Sequence, residues 1–129
     1  MPTIQHVALY CRDLEVLRTF YVTYFGAKSN EKYENSKKGF ASFFLSFEDG
    51  PAVEIMTKIG IEKANELKGE FLGFTHLAFS VGSEVKVTEL TERLRKEGHK
   101  IEGECRWTGD GFYESVILDP EGNRIEITI

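Results

Sequence analysis

Apolar and polar residues alternate from residue 4 to residue 10, with Val7 and Leu9 facing one way and His6, Ala8 and Tyr10 the other, the two-residue period of a half-buried strand. The period then lengthens. From Leu14 through Leu17, Phe20, Tyr21, Tyr24 and Phe25 the apolar positions recur every three or four residues, which predicts an amphipathic helix with Asp13 as its N-cap and Gly26 as its stop. The polar stretch Lys28 to Lys38, with Tyr33 as its main apolar residue, reads as a strand edge and loop. Phe40 to Phe47 and Ala52 to Thr57 read as two strands joined by a turn at Glu48-Asp49-Gly50-Pro51.

The same order returns in the second half. Phe74 to Val81 repeats the opening strand almost position for position, with a histidine at the same place in each copy. Ser83 is placed to cap a helix whose buried side comes from Val85, Val87, Leu90 and Leu94, and Gly98 ends it. Strands are expected over His99 to Glu104, Phe112 to Leu118 and Arg124 to Ile129. Turns separate them at Thr108-Gly109-Asp110-Gly111 and Asp119-Pro120-Glu121-Gly122-Asn123. A short helix closed by Gly69 is expected over Ile61 to Lys68. The pattern describes one α+β domain over residues 1–129, built from two tandem β-α-β-β-β modules at about 1–60 and 74–129 with a linker at about 61–73.

Composition narrows the class. A chain of 129 residues with 41% hydrophobic and 29% charged positions is an ordinary soluble globular sequence, long enough to bury a core without disulfides. It has no run of roughly 18 apolar residues and no basic segment leading into an apolar one near its start, so neither a membrane span nor a signal peptide is expected and the cytoplasm is the default location. Net charge is -5 and the basic residues are scattered, which argues against nucleic acid and for a small-molecule ligand. Cys11 and Cys105 stand alone, without metal-binding spacing, and read as reduced structural thiols.

Four residues carry the candidate chemistry. His6 and His76 occupy matching strand positions, and Glu54 and Glu126 lie 48 and 50 residues after them in apolar runs of the same kind. Val53 and Ile55 flank Glu54, and Ile125 and Ile127 flank Glu126. If those neighbours bury against the helices, both glutamates and both histidines face the other, concave side of the sheet. A lone strand histidine or glutamate is more often a structural or solvated residue. Recurrence at equivalent positions of a duplicated module favours a site: two imidazoles and two carboxylates suit a divalent ion such as zinc, nickel, cobalt, iron or manganese, with two positions left open. His99 has no counterpart and reads as a surface residue. The aromatic group Phe40, Phe43, Phe44 and Phe47 reads first as core, Trp107 as the best pocket candidate, and Lys37 and Lys38 as solvated.

Over essentially its whole length the chain resembles the vicinal oxygen chelate superfamily, which includes glyoxalases, bleomycin-resistance proteins and ring-cleaving dioxygenases. The resemblance rests on His6-Val7-Ala8-Leu9-Tyr10 with Asp13-Leu14 and Phe20-Tyr21, Phe25-Gly26, Glu54, His76-Leu77-Ala78-Phe79, and Asp119-Pro120-Glu121-Gly122-Asn123 before Glu126. It implies a fold in which paired modules form a cupped mixed sheet. With His6, Glu54, His76 and Glu126 as metal ligands, the chain is most similar to bacterial glyoxalase I. That likeness implies one nickel or zinc ion per site and a lyase or isomerase acting on a methylglyoxal-thiol hemithioacetal. Glu126, with Glu54 across the site, would transfer the proton through an enediolate held at the metal. At the two positions where bacterial glyoxalase I contacts glutathione this chain has Tyr10 and Lys58, which with Trp107 are the expected substrate-binding residues. A different thiol or another vicinal-oxygen substrate stays open. So do a metal-free binding or resistance protein and an acyl-CoA epimerase of the same fold. A homodimer is expected, since small chains of this family commonly pair and sheets with exposed edges invite a partner.

Overall fold

The first half runs β1 (His6–Tyr10), α1 (Leu14–Phe25), β2 (Lys28–Ser29), β3 (Tyr33–Asn35), β4 (Phe40–Ser46) and β5 (Ala52–Lys58). The computed structural model describes residues 1–61 and 72–129, and the chain divides into two units, Met1–Ala64 and Asn65–Ile129. Helix α1 begins where Asp13 accepts the Val16 N–H at 3.0 Å, and ends where Gly26 turns left-handed at φ 66°. Between those caps Leu14, Leu17, Phe20 and Tyr21 form the buried stripe. Leu17 and Tyr21 are wholly buried, and a leucine so placed contributes about 1.5–3 kcal/mol relative to exposure.

The sheet order is β1-β5-β4-β2, with β3 also on β4; β1 runs parallel to β5 and the other pairs are antiparallel. The polar stretch after α1 is one interrupted strand. At the break, the side-chain oxygen of Asn30 accepts the Phe44 N–H at 2.8 Å, so side chain substitutes for backbone in the ladder. The β3–β4 turn closes with the Lys38 N–H on the Asn35 carbonyl at 3.2 Å. Gly39 follows at φ 60°, and a Cβ there would stand 2.6 Å from Ile59 Cδ1, so conformation and close approach both require glycine. The Ile59 N–H in turn donates to the Gly39 carbonyl at 3.0 Å, clamping the turn to the end of β5.

The second unit contains β6 (His76–Ser80), α2 (Glu84–Lys96), β7 (Ile101–Trp107), β8 (Tyr113–Leu118) and β9 (Arg124–Thr128), in sheet order β6-β9-β8-β7 with β6 parallel to β9. Ser83 caps α2 by accepting the Lys86 N–H at 3.2 Å. Val87 and Leu94 are buried and Leu90 half-buried, but Val85 is 64% exposed. The expected place of Val85 in the core is corrected by geometry: two residues before Val87, it lies on the far side of the helix. Thr91 takes the buried position instead, donating to the Val87 carbonyl at 2.6 Å and meeting the Ser115 hydroxyl at 2.7 Å. Both hydroxyls are thereby satisfied inside the core.

Two strands start later than their apolar pattern suggested. β6 begins at His76, leaving Phe74 fully exposed. β7 begins at Ile101 because the His99 N–H is spent on closing α2, donating to the Leu94 carbonyl at 2.9 Å. The helix expected over residues 61–68 lies, apart from Ile61, outside the described residues. Among the described residues, no helix is long and apolar enough to cross a membrane.

Candidate metal centre

Strand register produces one His–Glu pair in each unit. In the first, Ala8 stands opposite Glu54 and His6 opposite Ala52, so His6 and Glu54 are diagonal neighbours on one face. Val53 and Ile55 are buried on the other face, and His6 Nε2 lies 3.8 Å from Glu54 Oε1. In the second, Ala78 stands opposite Glu126, Ile125 and Ile127 are wholly buried, and His76 Nε2 lies 3.1 Å from Glu126 Oε1. An alanine opposite each glutamate leaves the carboxylate room to reach the imidazole.

The other ring nitrogen is engaged in both copies by the preceding side chain. His6 Nδ1 meets Gln5 Oε1, and His76 Nδ1 meets Thr75 Oγ1 at 2.8 Å. In the tautomer whose Nδ1 donates to these oxygens, Nε2 presents its lone pair to a cation, as metal-binding histidines are commonly oriented. The histidine side chains are 40% and 36% exposed, the glutamates 17% and 20%, so the carboxylates are anchored while the imidazoles stay accessible.

These pairs suit a shared cation. Two donors about 2.1 Å from one ion and at right angles to it lie about 3.0 Å apart. The His76–Glu126 pair is already near that spacing, and the His6–Glu54 pair requires a small side-chain rotation. Among the described residues no three His, Cys, Asp or Glu side chains are arranged so as to hold a metal ion, so each His–Glu pair by itself presents two donors.

A second carboxyl stands beside Glu126 that the sequence reading passed over. Glu114 on β8 shares its face, opposite Thr128, while the next residue along, Ser115, is buried on the helix side. Burial, then the charge of Glu126 and a hydrogen bond with it, hold the Glu114 carboxyl above the ordinary carboxylate range. Arg106, opposite Glu114 on β7, pulls the other way. The signal was in the alternation of β8: with Ser115 and Ile117 toward the core, Glu114 must lie with Glu126.

Tyr10 and Lys58 fall on the same face as His6 and line a cleft of about 280 Å³ together with Tyr33, Asn35, Lys38 and Phe40. Lys38 is exposed, as expected of a solvated lysine, and also borders this cleft from the clamped turn after β3. Trp107 ends β7 of the second unit. It pairs with Tyr113, their rings 5.3 Å apart, and the Tyr113 hydroxyl is 3.1 Å from Thr88 of α2, on the helix side rather than the Glu126 side. The aromatic group divides too: Phe43 is buried beneath the Arg18 guanidinium, while Phe44 sets its ring edge-on to His6 at 5.4 Å.

Residues 3–127 match the family model of the Glyoxalase/Bleomycin resistance protein/Dioxygenase superfamily. YqjT of Bacillus subtilis (strain 168), an uncharacterized protein, is 25% identical over 131 residues, covering 96% of each chain. A glyoxalase I mutant from Zea mays is similar with a TM-score of 0.79 and 26% identity over 98% of this chain, which spans only 44% of the maize chain. A glyoxylase/bleomycin resistance protein/dioxygenase domain from a Frankia species shares the fold, with a TM-score of 0.82 and 19% identity over 100% of this chain and 98% of that one. Matched through both of its units, the chain belongs to the Glyoxalase/Bleomycin resistance protein/Dioxygenase superfamily.

Proposed function

We propose that this protein is a metal-dependent lyase or isomerase of the glyoxalase I kind, acting on a small substrate with two adjacent oxygens, such as a hemithioacetal of methylglyoxal. The observation that supports it is one His–Glu pair repeated in two units, at 3.8 and 3.1 Å. The similarity to maize glyoxalase I points the same way. His6, Glu54, His76 and Glu126 together hold one divalent ion, nickel or zinc, with the four donors drawn from one chain or from two. When bound, such an ion stabilises negative charge on adjacent substrate oxygens. Glu126 takes the proton from the carbon bearing sulfur and returns one to the neighbouring carbon, so no co-reactant is consumed. Glu54 is the second carboxylate of the ligand set, and Tyr10 and Lys58 bind the remainder of the substrate.

Metal content of protein purified without added metal or chelator tests this first, by inductively coupled plasma mass spectrometry beside His76→Ala. About one equivalent of nickel or zinc, lost in the variant, is expected. A hemithioacetal screen then compares the protein with Glu126→Gln, which should fold and fail to turn over; full activity in that variant overturns the reading. The competing reading is a metal-free ligand-binding protein, favoured by the lack of a three-donor cluster among the described residues. It gains if reconstitution loads no metal and an aromatic compound is bound unchanged. A second copy of the chain is the expected partner, because β1 and β6 stand at the ends of their sheets. Light scattering after size exclusion checks this.

A further inference from the structure

We infer that Asp49-Gly50, in the turn between β4 and β5, is a site of spontaneous covalent modification, where aspartate rearranges to isoaspartate through a cyclic imide. An aspartate followed by glycine is especially open to this reaction, because no side chain on the next residue shields its nitrogen. The sequence contains two such pairs, Asp49-Gly50 and Asp110-Gly111, each in an exposed turn. The fold treats them differently. At the first, the Gly50 N–H donates to Asp49 Oδ1 at 2.8 Å, and the carboxyl carbon, one bond nearer along the chain, lies against the same nitrogen. Gly50 has φ 84° and open space where a Cβ would stand, leaving room for the ring and for water. At the second, the Gly111 N–H is turned away to the Thr108 carbonyl at 3.1 Å. The Asp110 carboxylate is held by the Thr108 hydroxyl, which itself accepts the Phe112 N–H at 2.9 Å. Both partners of the second pair must break a bond before they meet, whereas those of the first are already in contact.

The reaction needs only water, and its atoms balance. The Gly50 nitrogen forms a bond to Asp49 Cγ, the carboxyl hydroxyl leaves with the nitrogen's proton as water, and a succinimide ring closes. Water then adds to either ring carbonyl. Addition at Cγ restores aspartate, whereas addition at the main-chain carbonyl breaks its bond to nitrogen and leaves the chain running through Cβ and Cγ, longer by a methylene. The charge is unchanged, since the former main-chain carbonyl becomes the side-group carboxylate. The added methylene lies close to the first His–Glu pair. Just past the turn, the Ala52 N–H donates to the Gln5 carbonyl at 3.1 Å, and Ala52 stands opposite His6 in the parallel ladder. Glu54 follows on the same face of β5. Lengthening this turn therefore loosens the start of the β1–β5 pairing and with it the His6–Glu54 pair, while the His76–Glu126 pair in the other unit is left as it is.

Incubation of the full chain in mildly acidic, ¹⁸O-enriched water, followed by peptide mapping with electron-transfer fragmentation, tests both turns at once. Each ring opening places a heavy oxygen on the residue, and the fragmentation tells isoaspartate from aspartate. Folded protein should take up label and form isoaspartate at Asp49 at least about ten-fold faster than at Asp110, the effect of a hydrogen bond that must first be broken. In urea the two rates should come together. Equal rates in the folded protein, no label at Asp49, or an advantage undiminished in urea overturns the proposal. Thr108→Val, which frees the Asp110 carboxylate, should raise labelling at Asp110 several-fold, and an unchanged rate there overturns the reason given for its protection. In ¹H–¹⁵N correlation spectra, the aged protein should show shifted amides at residues 5–8 and 52–54 and none at residues 76–80. The same treatment of Asp49→Glu, whose longer side chain closes the ring poorly, should shift neither group. Unmoved amides on β1 in the aged protein overturn the link to the first His–Glu pair.

Discussion

Glu54 and Glu126 occupy the same place in their sheets, each opposite an alanine of a parallel end strand and beside a histidine. Their surroundings differ. Glu54 has Phe44 across the ladder, and two and four residues further along its own strand come Met56 and Lys58. Glu126 has Val116 across the ladder and a second carboxyl, Glu114, within hydrogen-bonding reach. An aromatic ring and lysines make a face suited to holding a ligand, whereas a carboxyl against a carboxylate makes one suited to handling protons. Register alone sets the His–Glu pair, and side chains one row away set what surrounds it.

The largest expected break in this symmetry is catalytic. Glu126→Gln should lower hemithioacetal turnover by roughly 10²–10⁴-fold and by more than Glu54→Gln does, measured as initial rates; equal losses would make the two halves equivalent. In stability the halves should behave alike. Leu17→Ala on α1 and Leu94→Ala on α2 remove wholly buried side chains and should each cost about 2–5 kcal/mol in urea unfolding. The turns should not match. Asp119 accepts the N–H groups of Glu121 and Asn123, each at 2.9 Å, and two bonds from the Asn123 side chain, so Asp119→Ala should cost about 1–3 kcal/mol. Asp49 accepts only the Gly50 N–H through its side chain among the bonds at the corresponding β4–β5 turn, and its replacement should stay within about 0.5 kcal/mol.

The smallest effect depends on pH. Because the Glu114 pKa is raised in the fold, folded protein keeps a proton that unfolded protein releases as pH passes the ordinary value of 4.5. The resulting loss of stability grows until pH exceeds the raised value and is absent below the ordinary one. Glu114→Gln should therefore raise the melting temperature of chelated protein slightly at neutral pH and leave it unchanged in acid. Equal gains at both would contradict the cause given.

The elements were legible wherever the signal is local. Asp13 and Gly26 mark α1 by their own chemistry, and the apolar neighbours of Glu54 and Glu126 reveal which face each glutamate takes. Alternation failed as a guide on β7, whose pairing slips between Ile101 and Gly103 and again before Arg106, so the side taken by Trp107 could not be counted from the sequence. Thr91 was hidden because its burial depends on Ser115, 24 residues away. That Lys38, though solvated, also borders a cleft was hidden because its turn is held by Ile59, just past the end of β5. Glu114 needed only the parity of β8, yet without a counterpart in the first half the repeat did not draw attention to it.

The pairing of β1 with β5, and of β6 with β9, joins the first strand of each unit to its last. Each His–Glu pair therefore spans nearly the whole of its unit, and it is assembled only when a loop of about fifty residues has closed, a late and entropically costly event in folding. Any ligand that grips both members of a pair binds the closed unit and not the opened one. Occupancy would then slow unfolding and lengthen the chain's survival against proteases, making the lifetime of the protein itself a report of whether its sites are filled.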